Sequence, residues 1–258
     1  MKKGLLALGI TIIAAGMLIA GIFTIDHTLA PYLDSIVTEV GSDVKASSDF
    51  FADAETVPTV ILDAGHGGED SGAIGINGVL EKDLNLSITQ KLRDLLIFEG
   101  WKVILTRSDD RLLYDPEVSL SHKTQDLRTR LQYEVKYPDA VFVSIHMNKF
   151  PAESCKGLQV YYSPNHTSSG KLAERIQAAV KACLSPQNHR KCKKATTAIF
   201  LLNRIKIPAV LVECGFLANP EEAALLMNDS YQTKMAAVLT ASIYHEFRAS
   251  EYLKSDTE

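Results

Sequence analysis

Cysteine is scarce and scattered in this chain of 258 residues. Cys155, Cys183, Cys192 and Cys214 form no C-x-x-C pair and show no ligand-like spacing, which argues against a thiolate-held metal. A basic excess is also missing. Lys and Arg number 27 against 31 Asp and Glu, for a net charge of −4, so nothing in the charge balance calls for nucleic acid. There is no internal repeat and no low-complexity tract. No G-x-S-x-G occurs, Gly65–Gly68 does not complete G-x-G-x-x-G, and His245-Glu246 lacks a second His three residues after the Glu. Serine-hydrolase, dinucleotide-binding and zincin readings fall away with those motifs.

Charge is absent altogether from Gly4 to Ile25, just after the basic start Met1-Lys2-Lys3. That stretch is long enough to cross a bilayer, which takes about 20 apolar residues. Residues 1–30 therefore read as a signal peptide or an N-terminal membrane anchor. The length of the apolar run favours the anchor, and Thr28-Leu29-Ala30 is a weak cleavage site. Either way the bulk of the chain is expected to be exported to the extracytoplasmic face of a membrane. Residues 31–56 read as a stalk, 57–250 as one domain and 251–258 as a tail.

Within 57–250, strand-like runs at Val57–Asp63, Trp101–Thr106, Ala140–His146, Gly157–Tyr162 and Pro208–Phe216 alternate with helical patterns. The helices are expected over Glu81–Glu99, Asp126–Tyr137, Ser169–Leu184 and Tyr231–Arg248, with a further start at Asn219-Pro220. Alternation of this kind predicts a layered α/β domain with a largely parallel sheet. Segments 108–125 and 185–198 read as surface loops, the second one basic. Cys183 falls on an apolar helical face, and Cys214 points to the opposite strand face from Glu213; both read as core residues.

Four short motifs carry chemistry. Val60-Ile61-Leu62-Asp63-Ala64-Gly65-His66-Gly67-Gly68 is an apolar strand that stops at a Gly-rich turn holding a His. Glu81 opens a helix, His146 ends the strand Val141-Phe142-Val143-Ser144-Ile145, and Glu213 lies inside Val210-Leu211-Val212-Glu213-Cys214-Gly215-Phe216. In open α/β sheets ligands bind outside the carboxyl ends of strands, so His66 and His146 are placed to converge. Two imidazoles and one carboxylate make an open zinc site, with a second carboxylate left over as general base. A carboxylate in an apolar strand is costly unless it has a purpose or a partner, which favours a site role for Glu213. Taken singly, each signal also has an ordinary reading: a turn His, a helix-capping Glu, a core His at a strand end.

Together, the ordered motifs Leu62–Gly68, Glu81-Lys82-Asp83-Leu84-Asn85-Leu86, Thr106-Arg107, Ser144-Ile145-His146-Met147-Asn148 and Val212–Pro220 resemble the zinc-dependent N-acetylmuramoyl-L-alanine amidases of bacterial cell walls, the Amidase_3 family. The resemblance covers about residues 57–248 and implies a three-layer α/β/α sandwich around a mostly parallel six-stranded sheet. It implies Zn2+ on His66, Glu81 and His146, Glu213 as the catalytic carboxylate, and hydrolysis of the amide between the lactyl group of N-acetylmuramic acid and L-alanine. Asp126-Leu127-Arg128-Thr129-Arg130 and Ala198-Ile199-Phe200-Leu201-Leu202 are similar to the germination-specific sporulation amidases of the CwlD type. That subgroup implies muramic-δ-lactam formation in spore cortex. Val135 stands where many members have Asn, and Cys214 where Val or Thr is commoner.

Peptidoglycan is the implied partner, together with an exported activating or targeting protein, because no wall-binding module is present. Arg107, Arg130 and Asn148 are expected as substrate contacts. Arg107, Arg128 and Arg130 read equally well as structural ion pairs. Two other functions fit parts of the pattern: a catalytically silent peptidoglycan-binding module, and a zinc peptidase cleaving within the stem peptide.

Overall fold

The computed structural model describes residues 57–148, 150 and 152–255. The expected membrane segment (1–30) and stalk (31–56) lie outside the described residues, as do the last three residues of the expected tail. Among the described residues no helix is long and apolar enough to cross a membrane.

Six strands form one sheet: β1 (Thr59–Ala64), β2 (Lys102–Leu105), β3 (Val141–Asn148), β4 (Gln159–Tyr162), β5 (Lys193–Lys194) and β6 (Ala209–Phe216). Their order is β2-β1-β3-β6-β4-β5. Every neighbouring pair is parallel except β4 with β6, which is antiparallel. The central strands β1, β3 and β6 are buried nearly throughout, as expected for strands covered on both faces.

Side chains alternate across these strands and sort into two cores. Val60, Leu62, Val141, Val143, Ile145, Val210, Val212 and Cys214 share one core with three long helices. Those helices are α1 (Glu81–Phe98), α3 (Thr167–Cys183) and α6 (Asp229–Ser255), which supply Ile88, Leu92, Ile176, Val180, Leu239 and Ile243. Ile61, Phe142, Ala209 and Leu211 face the other way, onto Leu127 and Leu131 of α2 (His122–Lys136) and Leu201 and Leu202 of α4 (Phe200–Arg204). Helices thus cover both faces of a mostly parallel six-stranded sheet, the expected three-layer sandwich. Each fully buried Leu or Ile contributes about 1.5–3 kcal/mol before conformational entropy is counted.

Several boundaries differ from the sequence reading. α2 begins at His122, four residues before the expected Asp126, because the Ser121 hydroxyl caps Thr124 N–H at 3.3 Å. β5 lies inside the segment expected as a basic loop, and α4 had no predicted counterpart. The last helix runs on to Ser255, past the expected domain end at 250. α5 (Pro220–Met227) starts as its sequence predicts: Asn219 caps Glu222 N–H at 3.0 Å, with Pro at the first turn.

Candidate active site

β1, β3 and β6 are parallel and end on the same side of the sheet, where the functional side chains gather. His66 follows β1 in the turn His66–Gly68 and has φ +61, the one non-glycine with positive φ among the described residues. That left-handed turn sends the chain back across the strand end. His146 belongs to β3 and is the register partner of Glu213 on β6. Glu81 is the first residue of α1 and is almost fully buried.

His66 Nε2 lies 3.3 Å from Glu81 Oε1, and His146 Nδ1 lies 3.0 Å from the same oxygen. The two rings meet edge to face with centroids 4.9 Å apart. One ligand atom from each of His66, Glu81 and His146 can be chosen so that all three lie within 4.8 Å of one another. Two imidazole nitrogens and a carboxylate oxygen form a donor set that fits Zn2+. Glu81 is oriented by backbone donors: Ala73 N–H to Oε2 at 2.7 Å and Met147 N–H to Oε1 at 3.0 Å. Burial alone raises the Glu81 pKa, but His146 and His66 outweigh it and hold the carboxyl well below its ordinary range.

Two glycines make this closeness possible. A Cβ on Gly65 would stand 2.2 Å from the His146 ring. A Cβ on Gly72 would stand 2.6 Å from Glu81 Oε2 and 2.8 Å from His66 Cδ2.

Asp70 is a site residue that the sequence reading missed. Its Oδ2 is 2.9 Å from His66 Nδ1 and accepts from Lys123 Nζ at 3.0 Å, while Oδ1 accepts from Gly72 N–H at 3.2 Å. Burial opposes its charge, yet the His66 and Lys123 bonds hold the carboxyl down to about 2. A carboxylate on the far nitrogen fixes the His tautomer and leaves the Nε2 lone pair facing the site. Its position four residues after His66, in the same Gly-rich turn, was the available clue.

Glu213 is unlike Glu81. Its Oε2 is buried and has no hydrogen-bond partner among the described residues. Burial pushes its pKa up to about 7; His146 pulls the other way and the neighbouring Glu81 charge adds to the rise. A carboxylate poised near neutrality beside two imidazoles and a second carboxylate is suited to moving a proton in both directions.

Arg107 and Arg130, expected as substrate contacts, are instead buried at 1 % and 2 % exposure. All five Arg130 donors are engaged: with Asp63, Asp126 and the carbonyls of Ala64 and His66. Arg107 donates to the carbonyls of Ala64, Gly65, Lys82 and Asp109. Arg130 thus spends all five donors, and Arg107 four of its five, on the protein's own carbonyls and carboxylates. The two arginines instead grip consecutive carbonyls of the turn that carries His66. Arg128 is exposed on α2, and Asn148 is half-buried at the end of β3, opposite Phe216. Cys214 is buried in the larger core, as expected.

Fold and site define a hydrolytic enzyme with a candidate metal site at the strand ends of a three-layer α/β/α domain. The chain belongs to the Amidase_3 family, N-acetylmuramoyl-L-alanine amidase, whose sequence profile matches residues 60–245. It is 35% identical over 191 residues to the germination-specific N-acetylmuramoyl-L-alanine amidase of Bacillus subtilis (strain 168), covering 73% of this chain and 79% of that one. Among solved structures it is similar to the CwlD amidase of Clostridioides difficile in complex with the GerS lipoprotein. The TM-score is 0.71 at 38% identity, over 74% of this chain and 99% of that one. The amidase AmiC2 of Nostoc punctiforme matches with a TM-score of 0.63 at 30% identity, over 74% and 97% of the two chains.

Proposed function

We propose that this enzyme hydrolyses the amide between the lactyl group of N-acetylmuramic acid and L-alanine in peptidoglycan, with Zn2+ on His66, Glu81 and His146 and with Glu213 as the catalytic carboxylate. The observation that carries the reading is the pairing of an unpartnered, buried Glu213 Oε2 with a two-imidazole, one-carboxylate cluster, of which His146 is the register partner of Glu213 on the neighbouring strand. Zinc supplies Lewis acidity toward the scissile carbonyl and lowers the pKa of water to about 7.

The chain's own groups do the rest. Asp70 keeps the His66 proton on Nδ1, and Glu81 is held by the Ala73 and Met147 N–H groups. Glu213 Oε2 takes a proton from water as the water oxygen bonds to the carbonyl carbon. It then hands that proton to the leaving nitrogen as the C–N bond breaks, freeing the amino group of L-alanine.

Similarity to the germination-specific relative supports a role in spore cortex maturation, in which removal of the stem peptide allows muramic-δ-lactam to form. The uncharged run from Gly4 to Ile25 supports export and membrane attachment. The CwlD structure with its GerS lipoprotein supports an exported partner protein for this chain as well.

The test is mass spectrometry of peptidoglycan digested by the full-length protein with Zn2+, beside Glu213→Gln. Stem peptides beginning at L-alanine, released by the wild type alone, are the expected result. Cuts inside the stem would assign a peptidase. Intact polymer with zinc bound would assign a silent binding module or a dependence on the partner.

A further inference from the structure

We infer that Arg190 binds a carboxylate of the stem peptide, on the second residue beyond the scissile nitrogen; this rests on the amidase reading above. Gln159 is the first residue of β4 and the register partner of Glu213 across the antiparallel pair. Because β4 runs against β6, its beginning lies at the catalytic end of the sheet. Directly paired residues share a face, so the Gln159 and Glu213 side chains emerge side by side. Gln159 is 2 % exposed, and both ends of its amide are hydrogen-bonded. Its Nε2 donates to the Lys191 carbonyl at 2.7 Å, and its Oε1 accepts from Arg190 Nη1 at 3.3 Å. Arg190 therefore stands one side chain away from Glu213.

Three further contacts fix the guanidinium. Arg190 Nε donates to the Lys156 carbonyl at 2.8 Å, and Cζ sits 4.4 Å from the centroid of the Phe216 ring. The Arg190 backbone N–H donates to Asn188 Oδ1 at 3.0 Å, and the buried Asn188 donates in turn to the Leu158 carbonyl at 2.9 Å. Gly157, at φ +97, allows that approach, since a Cβ there would stand 2.6 Å from Asn188 Oδ1. These contacts use Nε and one hydrogen of Nη1. Nη2 has no partner among the described residues, and the side chain is half-exposed.

The nearby carboxylate of Glu222 feels the Arg190 charge but makes no hydrogen bond to it. Both of its oxygens accept instead from backbone N–H groups, of Gly157 at 2.7 Å and Phe216 at 2.8 Å. Lys156 and Lys191, exposed on either side, add to the positive wall. A planar guanidinium braced on one edge and free on the other is matched to a carboxylate, which it can grip with two parallel hydrogen bonds. The span fits: strands are about 4.8 Å apart, and an extended peptide advances about 3.5 Å per residue. A peptide leaving the site across β4 thus brings its second residue to Arg190.

The experiment compares full-length wild type, Arg190→Gln and Arg190→Lys on two synthetic muramyl peptides, identical except that the second residue carries a free α-carboxylate or its amide. Arg190→Gln is expected to raise KM for the acidic substrate about tenfold or more, the size of a lost charge-assisted hydrogen bond, with kcat little changed. The amidated substrate is expected to be handled alike by all three proteins, and Arg190→Lys to recover part of the loss. Equal losses on both substrates would overturn the assignment and make Arg190 a brace for the β4 entry; no loss on either would also overturn it. If the wild type, given Zn2+ and the exported partner, cleaves neither, the amidase reading falls and this inference with it. If it cleaves both and the variant is slowed equally on both, only the arginine assignment falls.

Discussion

Asp63 and Arg130 hold opposite charges beneath the His66 turn with almost no access to water. Burial works against the Asp63 charge, but Arg130, Ser144 and Thr106 overcome it and set its pKa below the ordinary 3.8. A carboxylate depressed in the folded state contributes stability that is complete above its unfolded value and lost as pH falls below it. The Asp63 contribution to the urea midpoint is therefore expected to hold from pH 7 to about 5 and to be lost below about pH 4, with Asp63→Asn removing that part of the slope. Arg130→Ala strands two buried carboxylates and is expected to cost about 3–5 kcal/mol by the same measurement. Asp70→Asn leaves the core untouched but frees the His66 ring; metal affinity from chelator competition is expected to fall about 10–100-fold. In the proposed mechanism Glu213 governs the acid limb of kcat/KM. It acts as a base only when ionised, its proton is held up to about pH 7, and a bound cation lowers that value. Activity is expected to fall as pH drops from neutrality, along a limb that is missing from the residual rate of Glu213→Gln. His66, Glu81, His146 and Glu213 could be read from sequence because each sits at a strand end, a helix start or an apolar run, where its polarity stands out locally. Arg107 and Arg130 could not, because a guanidinium's role is set by which carbonyls surround it in space.

At the scale of elements, β5 and α4 were not legible in the sequence, while the longer helices and the other strands were. β1, β3, β6, α1, α3 and α6 repeat their apolar pattern over enough residues for a period to show. β5 has two residues and α4 five, too few for either period. The start of α2 was set four residues late because Ser121-His122-Lys123-Thr124-Gln125-Asp126 holds no apolar residue before Leu127. Its cap gives a direct check: Ser121→Ala is expected to cost about 1 kcal/mol with activity retained. Gly65→Ala makes the opposite prediction for the end of β1. The new methyl collides with the His146 ring, so metal binding and activity are expected to be lost while the circular dichroism spectrum stays that of the wild type.

Over the whole molecule, the strand order places β3 and β6 at the centre, and with them His146 and Glu213. Two separate apolar cores flank that centre, and neither needs an ion to form. Chelation is therefore expected to lower the melting temperature, since a ligand bound only by the native state stabilises it, yet to leave the secondary structure intact at 25 °C. The margins of the same sheet have a different consequence. Lys193 and Lys194, both exposed, are all there is of its last strand. A passing chain that tried to extend the sheet there would find two rungs to bind and two ammonium groups to bury. Short, lysine-bearing edges are how β-sheets avoid templating their own growth. On that side, the sheet offers a second molecule almost nothing to pair with.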